Sequence, residues 1–72
     1  MLNENEISDI SIALKQISDA IEKSGYDPVT QLSGYILSED PTYIPVTDGA
    51  RSIIRRLDRD DILAEMIKNY LK

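Results

Sequence analysis

Residues 7–23 read ISDISIALKQISDAIEK, and Ile7, Ile10, Leu14, Ile17 and Ile21 recur within them at spacings of 3, 4, 3 and 4. Residues three and four apart share a helix face, so this is one apolar stripe along an amphipathic helix. Asn5 or Glu6 stands where that helix begins, and residues 1–6 read as a flexible start. Gly25 follows Lys23-Ser24, which suits a helix ending in a left-handed residue with a cation in its last turn. Ile12 lies off the stripe and widens the contact face. The run is too short to claim a coiled coil. It is read first as a helix packing on its own domain, with an intermolecular helix pair as the sharper alternative.

Working outward, Asp27-Pro28 reopens the chain, because Asp at an N-cap followed by Pro at the first helical position is a strong helix start. Val29, Leu32, Tyr35 and Ile36 then fall on one face of a helix running to about Ser38. Gly34 inside it costs about 1 kcal/mol relative to Ala, which points to a close backbone approach within the domain or across a dimer. Pro41 and Pro45 preclude a continuous helix over 39–47. Asp40-Pro41 can start one short turn, and Tyr43 and Ile44 make the segment an ordered connector rather than a domain boundary. Tyr43–Val46 has strand composition, but Pro45 spoils it. Thr47 is the expected N-cap of a third helix, with Ala50, Ile53, Ile54 and Leu57 inward. The apolar phase then changes at Asp58-Arg59-Asp60-Asp61. Asp58 caps a fourth helix with Ile62, Leu63, Met66, Ile67, Tyr70 and Leu71 on its stripe, the alternative being one long helix over 48–71. The expected fold is all-α: a single domain over 1–72, a compact bundle of about four short helices.

A chain of 72 residues buries only roughly 60% of the surface its unfolded form exposes. Scaffolds of this size usually rely on disulfides, a metal or oligomerisation. With no Cys and no His, disulfides and soft metal sites are removed, and a homodimer is the remaining aid. Charge is uneven: residues 1–50 carry two Lys and nine acids, whereas 51–72 carry six basic and four acidic residues. Copies could meet head to tail, or the basic end could meet an acidic partner. No apolar run reaches the roughly 18–20 residues of a membrane span, and the acidic start is no signal peptide, so membrane insertion is not expected and the cytoplasm is.

The missing His and Cys exclude the usual nucleophile–base pairs. Asp58, Asp60 and Asp61 read as a solvated cap beside Arg56 and Arg59, without calcium-loop spacing. The three glycines are too dispersed for a phosphate loop. Hence no catalytic, cofactor or metal residue is assigned, and an enzyme is not expected. Arg51, Arg55 and Arg59 would share a face of a continuous helix, with Arg56 adjacent. That face reads first as solvated and paired with Asp48, Asp58 and Asp60, and next as a dock for an acidic or phosphorylated segment. A helical nucleic-acid-binding module is the alternative, disfavoured by the net charge of −5.

Gly25-Tyr26-Asp27-Pro28, Gln31, Gly34-Tyr35, Asp40-Pro41-Thr42-Tyr43-Ile44-Pro45, Ala50-Arg51, Ile54, Arg59-Asp60, Ile62, Glu65 and Tyr70-Leu71 together resemble the IreB family over about residues 25–71. The resemblance implies a small cytosolic regulator of low-GC Gram-positive bacteria, dimeric and all-helical. It further implies phosphorylation by a transmembrane Ser/Thr kinase with cell-wall-sensing repeats, and a restraining role in resistance to cell-wall-active antibiotics. In the family the phosphoacceptor threonines lie in a flexible N-terminal segment. Here no Thr precedes Thr30, so no such position carries over, and Ser8 and Ser11 are the nearest hydroxyls. Tyr26, Gly34, Tyr35, Tyr43, Arg51, Arg55, Arg59 and Tyr70 are the candidate partner or dimer contacts. The expected function is a non-catalytic regulatory adaptor that binds itself and a signalling protein.

Overall fold

The computed structural model describes the backbone of residues 4–72 and the side chains from Ile10 onward. Among these residues the chain forms four α-helices and no strand: α1 (Glu4–Lys23), α2 (Pro28–Ser38), α3 (Ala50–Arg55) and α4 (Arg59–Tyr70). Two single 3-10 turns, Pro41–Tyr43 and Thr47–Gly49, lie between α2 and α3.

α1 is the axis of the domain and contacts each of the other three helices. Its stripe behaves as the spacing demands. Ile10, Ile17 and Ile21 are buried, Leu14 packs at the core edge, and Ala20 adds a close approach. The side chains of Ile7 and Ser8 lie outside the described residues. The helix starts at Glu4, earlier than Asn5 or Glu6, so three residues of the expected flexible start are helical and residues 1–3 fall outside the description. Gly25 is left-handed at φ 89°, and Tyr26 N–H closes onto Ile21 O at 3.1 Å, which ends the helix as expected. Ile12 is exposed and adds nothing to the core.

The largest fully buried side chains are Ile17, Ile21, Ile44, Ile54 and Ile62. Each of the four helices thus contributes a buried apolar group, with Tyr35 from α2, and Ile44 adds one just after the Pro41–Tyr43 turn. Val29 departs from the expected inner face of α2: it is exposed, because α2 starts at Pro28 at the periphery, and Leu32, Tyr35 and Ile36 turn inward.

Asp27 caps α2 as expected, its carboxylate accepting from Thr30 N–H at 2.9 Å. Asp58 caps α4 through Asp60 N–H at 3.3 Å, so 48–71 is two helices rather than one. Thr47 does not cap α3. It begins the 3-10 turn, where Asp48 and Gly49 are both left-handed. Its hydroxyl instead meets Ser24 Oγ at 2.9 Å, and Lys23 Nζ reaches Asp48 at 3.1 Å, so the end of α1 is latched to the start of α3.

α4 shows the largest difference from the periodic reading. Ile62 is buried and Met66 half-buried, but Leu63, Ile67, Tyr70 and Leu71 are exposed. The helix rests chiefly on α1, and one helix covers only a narrow strip of another. The face turned inward includes Glu65, which is buried and accepts from Asn69 Nδ2 at 3.1 Å.

Candidate interaction surface

The domain presents three distinct surfaces. α2 and α4 both pack on α1 without packing closely on one another. Between them opens a cleft of about 470 Å³, floored by Ser18 of α1. Val29, Leu32, Ile36 and Leu37 line it from α2, and Leu63 and Met66 from α4. No lining residue is charged, although the chain carries eight basic and thirteen acidic residues. The apolar row continues past the cleft along α4 through Ile67, four residues beyond Leu63 on the same helix face.

The second surface is a more polar cleft of about 370 Å³, bordered by Tyr26, Gln31, Tyr43, Thr47 and Arg51. Its wall is an internal clamp. Asp40 caps the 3-10 turn through Thr42 N–H at 3.0 Å and the Thr42 hydroxyl at 2.7 Å. That turn lays the Tyr43 ring on Gly34: a Cβ at Gly34 would sit 2.6 Å from Tyr43 Cδ1 and 2.8 Å from its Cζ. Gln31 Nε2 donates to Tyr43 O at 3.0 Å, and Arg51 Nε donates to Ile44 O at 2.8 Å. The close approach expected of Gly34 is therefore made inside this chain. The Thr30 N–H and hydroxyl hold the Asp27 carboxyl below its usual range, and the Thr42 hydroxyl and N–H do the same for Asp40, with Arg51 adding to it.

The arginines form the third. The break between α3 and α4 interrupts their expected single face. Arg59 Nη1 donates to Ile36 O at 2.7 Å, at the carbonyl end of α2, and its Nε lies 3.4 Å from Glu39. A cation there answers the negative end of the helix. Among the described residues no arginine pairs with Asp48, Asp58 or Asp60; Asp48 is taken by Lys23. The expected solvated pairing is thus corrected. Arg51 and Arg59 are tied to main-chain carbonyls, while Arg55 and Arg56 project freely into solvent.

A family model described as IreB regulatory phosphoprotein matches residues 1–72, the whole chain. The chain belongs to the IreB family. It is a family of regulatory phosphoproteins and not an enzyme family. Among the described residues no helix is long and apolar enough to cross a membrane.

Most residues that carry the IreB resemblance serve the scaffold. Asp27, Pro28, Asp40, Pro41, Gln31, Gly34, Tyr43, Arg51 and Arg59 build caps, the clamp and carbonyl ties, and Tyr35, Ile54 and Ile62 are core. Of the expected contact residues, Tyr35 is buried within the IreB-family domain, while Tyr26 and Tyr70 are exposed. The periodic reading missed Leu37 as a surface residue, and it placed Leu63, Ile67 and Val29 inside. A signal was nevertheless there: residues 28–38 contain no Asp, Glu, Lys or Arg.

Proposed function

We propose that the chain is a non-catalytic, homodimeric regulator of the cytoplasm. It accepts phosphate from a membrane Ser/Thr kinase and acts on other signalling proteins in the response to cell-envelope stress and cell-wall-active antibiotics. The observation that carries this reading is the family match across all 72 residues. The scaffold supports it, since its surface offers an uncharged cleft and free arginines, while His and Cys are missing from the whole sequence.

Phosphate acceptance falls to serines near the start of α1. Ser11 is exposed there, and the Ser8 side chain lies outside the described residues. With α1 beginning at Glu4, Ser11 sits beyond the first turn, where the helix N-terminus no longer favours a phosphate. Phosphorylation at Ser11 would therefore act by adding charge to the surface of α1 rather than by reinforcing the helix. The test is incubation of the full chain with the cytosolic domain of such a kinase and ATP, followed by intact mass measurement and site mapping. One added phosphate on Ser8 or Ser11 is expected. An unchanged mass would remove the substrate role.

A further inference from the structure

We infer that the polar cleft beside the Tyr43 clamp is a receptor for a phosphorylated serine or threonine side chain of another protein, with Arg51 as its anion-binding group. The inference goes beyond the acceptance of phosphate proposed above, and it stands whether or not the chain is itself a kinase substrate.

The first observation is the charge of the lining. In a chain with thirteen acids, the only charged side chain bordering this cleft of about 370 Å³ is a cation, Arg51. Asp27, Asp40 and Asp48 lie close to lining residues in sequence, but each carboxylate is already engaged, with Thr30, Thr42 and Lys23 respectively. Arg51 helps to hold the Asp40 carboxyl down, yet the two form no ion pair. The second observation is orientation. Arg51 is half-buried, and its Nε donates to Ile44 O at 2.8 Å, which fixes the plane of the guanidinium. Among the described residues its two Nη groups have no hydrogen-bond partner. A guanidinium held by one nitrogen presents the other two as a preset fork for two oxygens of an anion.

The third observation is the number of donors. Tyr26 and Tyr43 border the same cleft, and among the described residues neither phenol hydroxyl is hydrogen-bonded. Gln31 Nε2 uses one N–H on Tyr43 O and keeps the other. The fork, the phenols and the amide together exceed the roughly four acceptor positions of a carboxylate. They suit the three terminal oxygens of a phosphate monoester. One cation matches a single phosphate rather than the polyphosphate of a nucleotide. Pro45 and the exposed Val46 give a peptide an apolar rim to lie on, which free phosphate does not use. A phosphate on Ser11 of the same chain cannot reach the site. Ser11 lies about 18 Å along α1 from Lys23, and it is the Lys23 end that meets the cleft, through Ser24 and Thr47.

The experiment is a titration of the full, isotope-labelled chain followed by amide NMR shifts, in phosphate-free buffer at low salt, where attraction between charges is least screened. Circular dichroism verifies the fold of each variant. The probes are a short neutral peptide with a central phosphoserine, its serine and glutamate counterparts, and inorganic phosphate. Wild type is expected to bind the phosphopeptide, with shifts concentrated at Tyr26, Gln31, Tyr43, Thr47 and Arg51. The glutamate peptide and inorganic phosphate are expected to bind at least about 5-fold more weakly, and the serine peptide not measurably. Arg51→Gln is expected to weaken the phosphopeptide at least about 10-fold, and the double variant Tyr26→Phe, Tyr43→Phe about 3- to 10-fold. Arg55→Gln, on a free arginine outside the cleft, should leave the affinity within about twofold. Arg51→Gln also removes the tie to Ile44 O. Should it unfold, the double Phe variant decides alone, since it keeps both rings and the contact with Gly34. Absence of shifts at the cleft residues overturns the site, as does phosphopeptide binding that the variants leave intact. A glutamate peptide that binds as tightly overturns the phosphate and assigns the cleft to a carboxylate. Inorganic phosphate that binds as tightly overturns the protein source.

Discussion

The loop carrying Tyr43 and the outer face of α4 start from similar material, aromatic and aliphatic residues in a chain with little core to fill. They end differently. Tyr43 lies over Gly34, its carbonyl is held by Gln31, and the neighbouring Ile44 carbonyl is held by Arg51. On α4, Leu63, Ile67, Tyr70 and Leu71 stand in solvent. The distinctive residues of the chain, its glycine, prolines and capping aspartates, are engaged in building the domain. The aliphatic residues of the outer face of α4 are left exposed. A family signature can therefore mark chiefly how a scaffold is assembled, although here it also includes the exposed Tyr70 and Leu71.

The largest test of this contrast is within α4. Ile62→Ala should lower the unfolding free energy by about 2–5 kcal/mol, because Ile62 is fully buried. Ile67→Ala, half exposed one turn further on, should change it by less than about 1 kcal/mol in urea titrations. Equal losses would mean that the outer face is covered within the single chain.

Next is the clamp. In an ordinary helix Gly→Ala is stabilising by about 1 kcal/mol. Gly34→Ala should instead destabilise by about 1–3 kcal/mol, since the new Cβ displaces the Tyr43 ring. In a Tyr43→Ala background the same change should become neutral or stabilising, as a double-mutant cycle would read directly. Stabilisation in both backgrounds would show that the ring yields freely.

A smaller effect separates the tied arginines from the free ones. Arg59→Gln loses the hydrogen bond to Ile36 O and should reduce stability by about 1–2 kcal/mol. Arg55→Gln should shift the urea midpoint by an amount within about 0.5 kcal/mol.

The smallest effect is in acid. The Asp27 and Asp40 carboxyls titrate below the ordinary value of 3.8 when folded, so they stabilise the fold above that pH. Their contribution is lost as pH falls from 3.8 through the lower folded values. Thermal melts across that window should fall less steeply in the Asp27→Asn, Asp40→Asn double variant than in wild type.

Local features were legible in the sequence. The isoleucine stripe of α1, the Asp27-Pro28 start, the Asp58 cap and the break before α4 depend on residues a turn or two apart, and all are present. What failed depended on distant residues. Thr47 has the chemistry of a helix cap, but its hydroxyl meets Ser24, 23 positions away. Gly34 announced a close approach, yet nothing in its neighbourhood named Tyr43. The stripe of α4 was wider than the single helix available to cover it, and periodicity reports which residues are apolar, not how many neighbours exist to bury them.

The contact between Ser24 and Thr47 also bears on the order in which the chain acquires its shape. With Lys23 and Asp48 beside it, this contact closes a circuit of chain that contains all of α2 and the Tyr43 loop. Closing such a circuit costs entropy that grows only slowly with its length, about 0.6 kcal/mol for each doubling. The helices form locally and quickly, whereas this closure joins distant residues and is the slower event in assembly. Extra residues inserted between Ser38 and Asp40 should therefore alter the final stability little through closure entropy, and show their effect in the refolding rate.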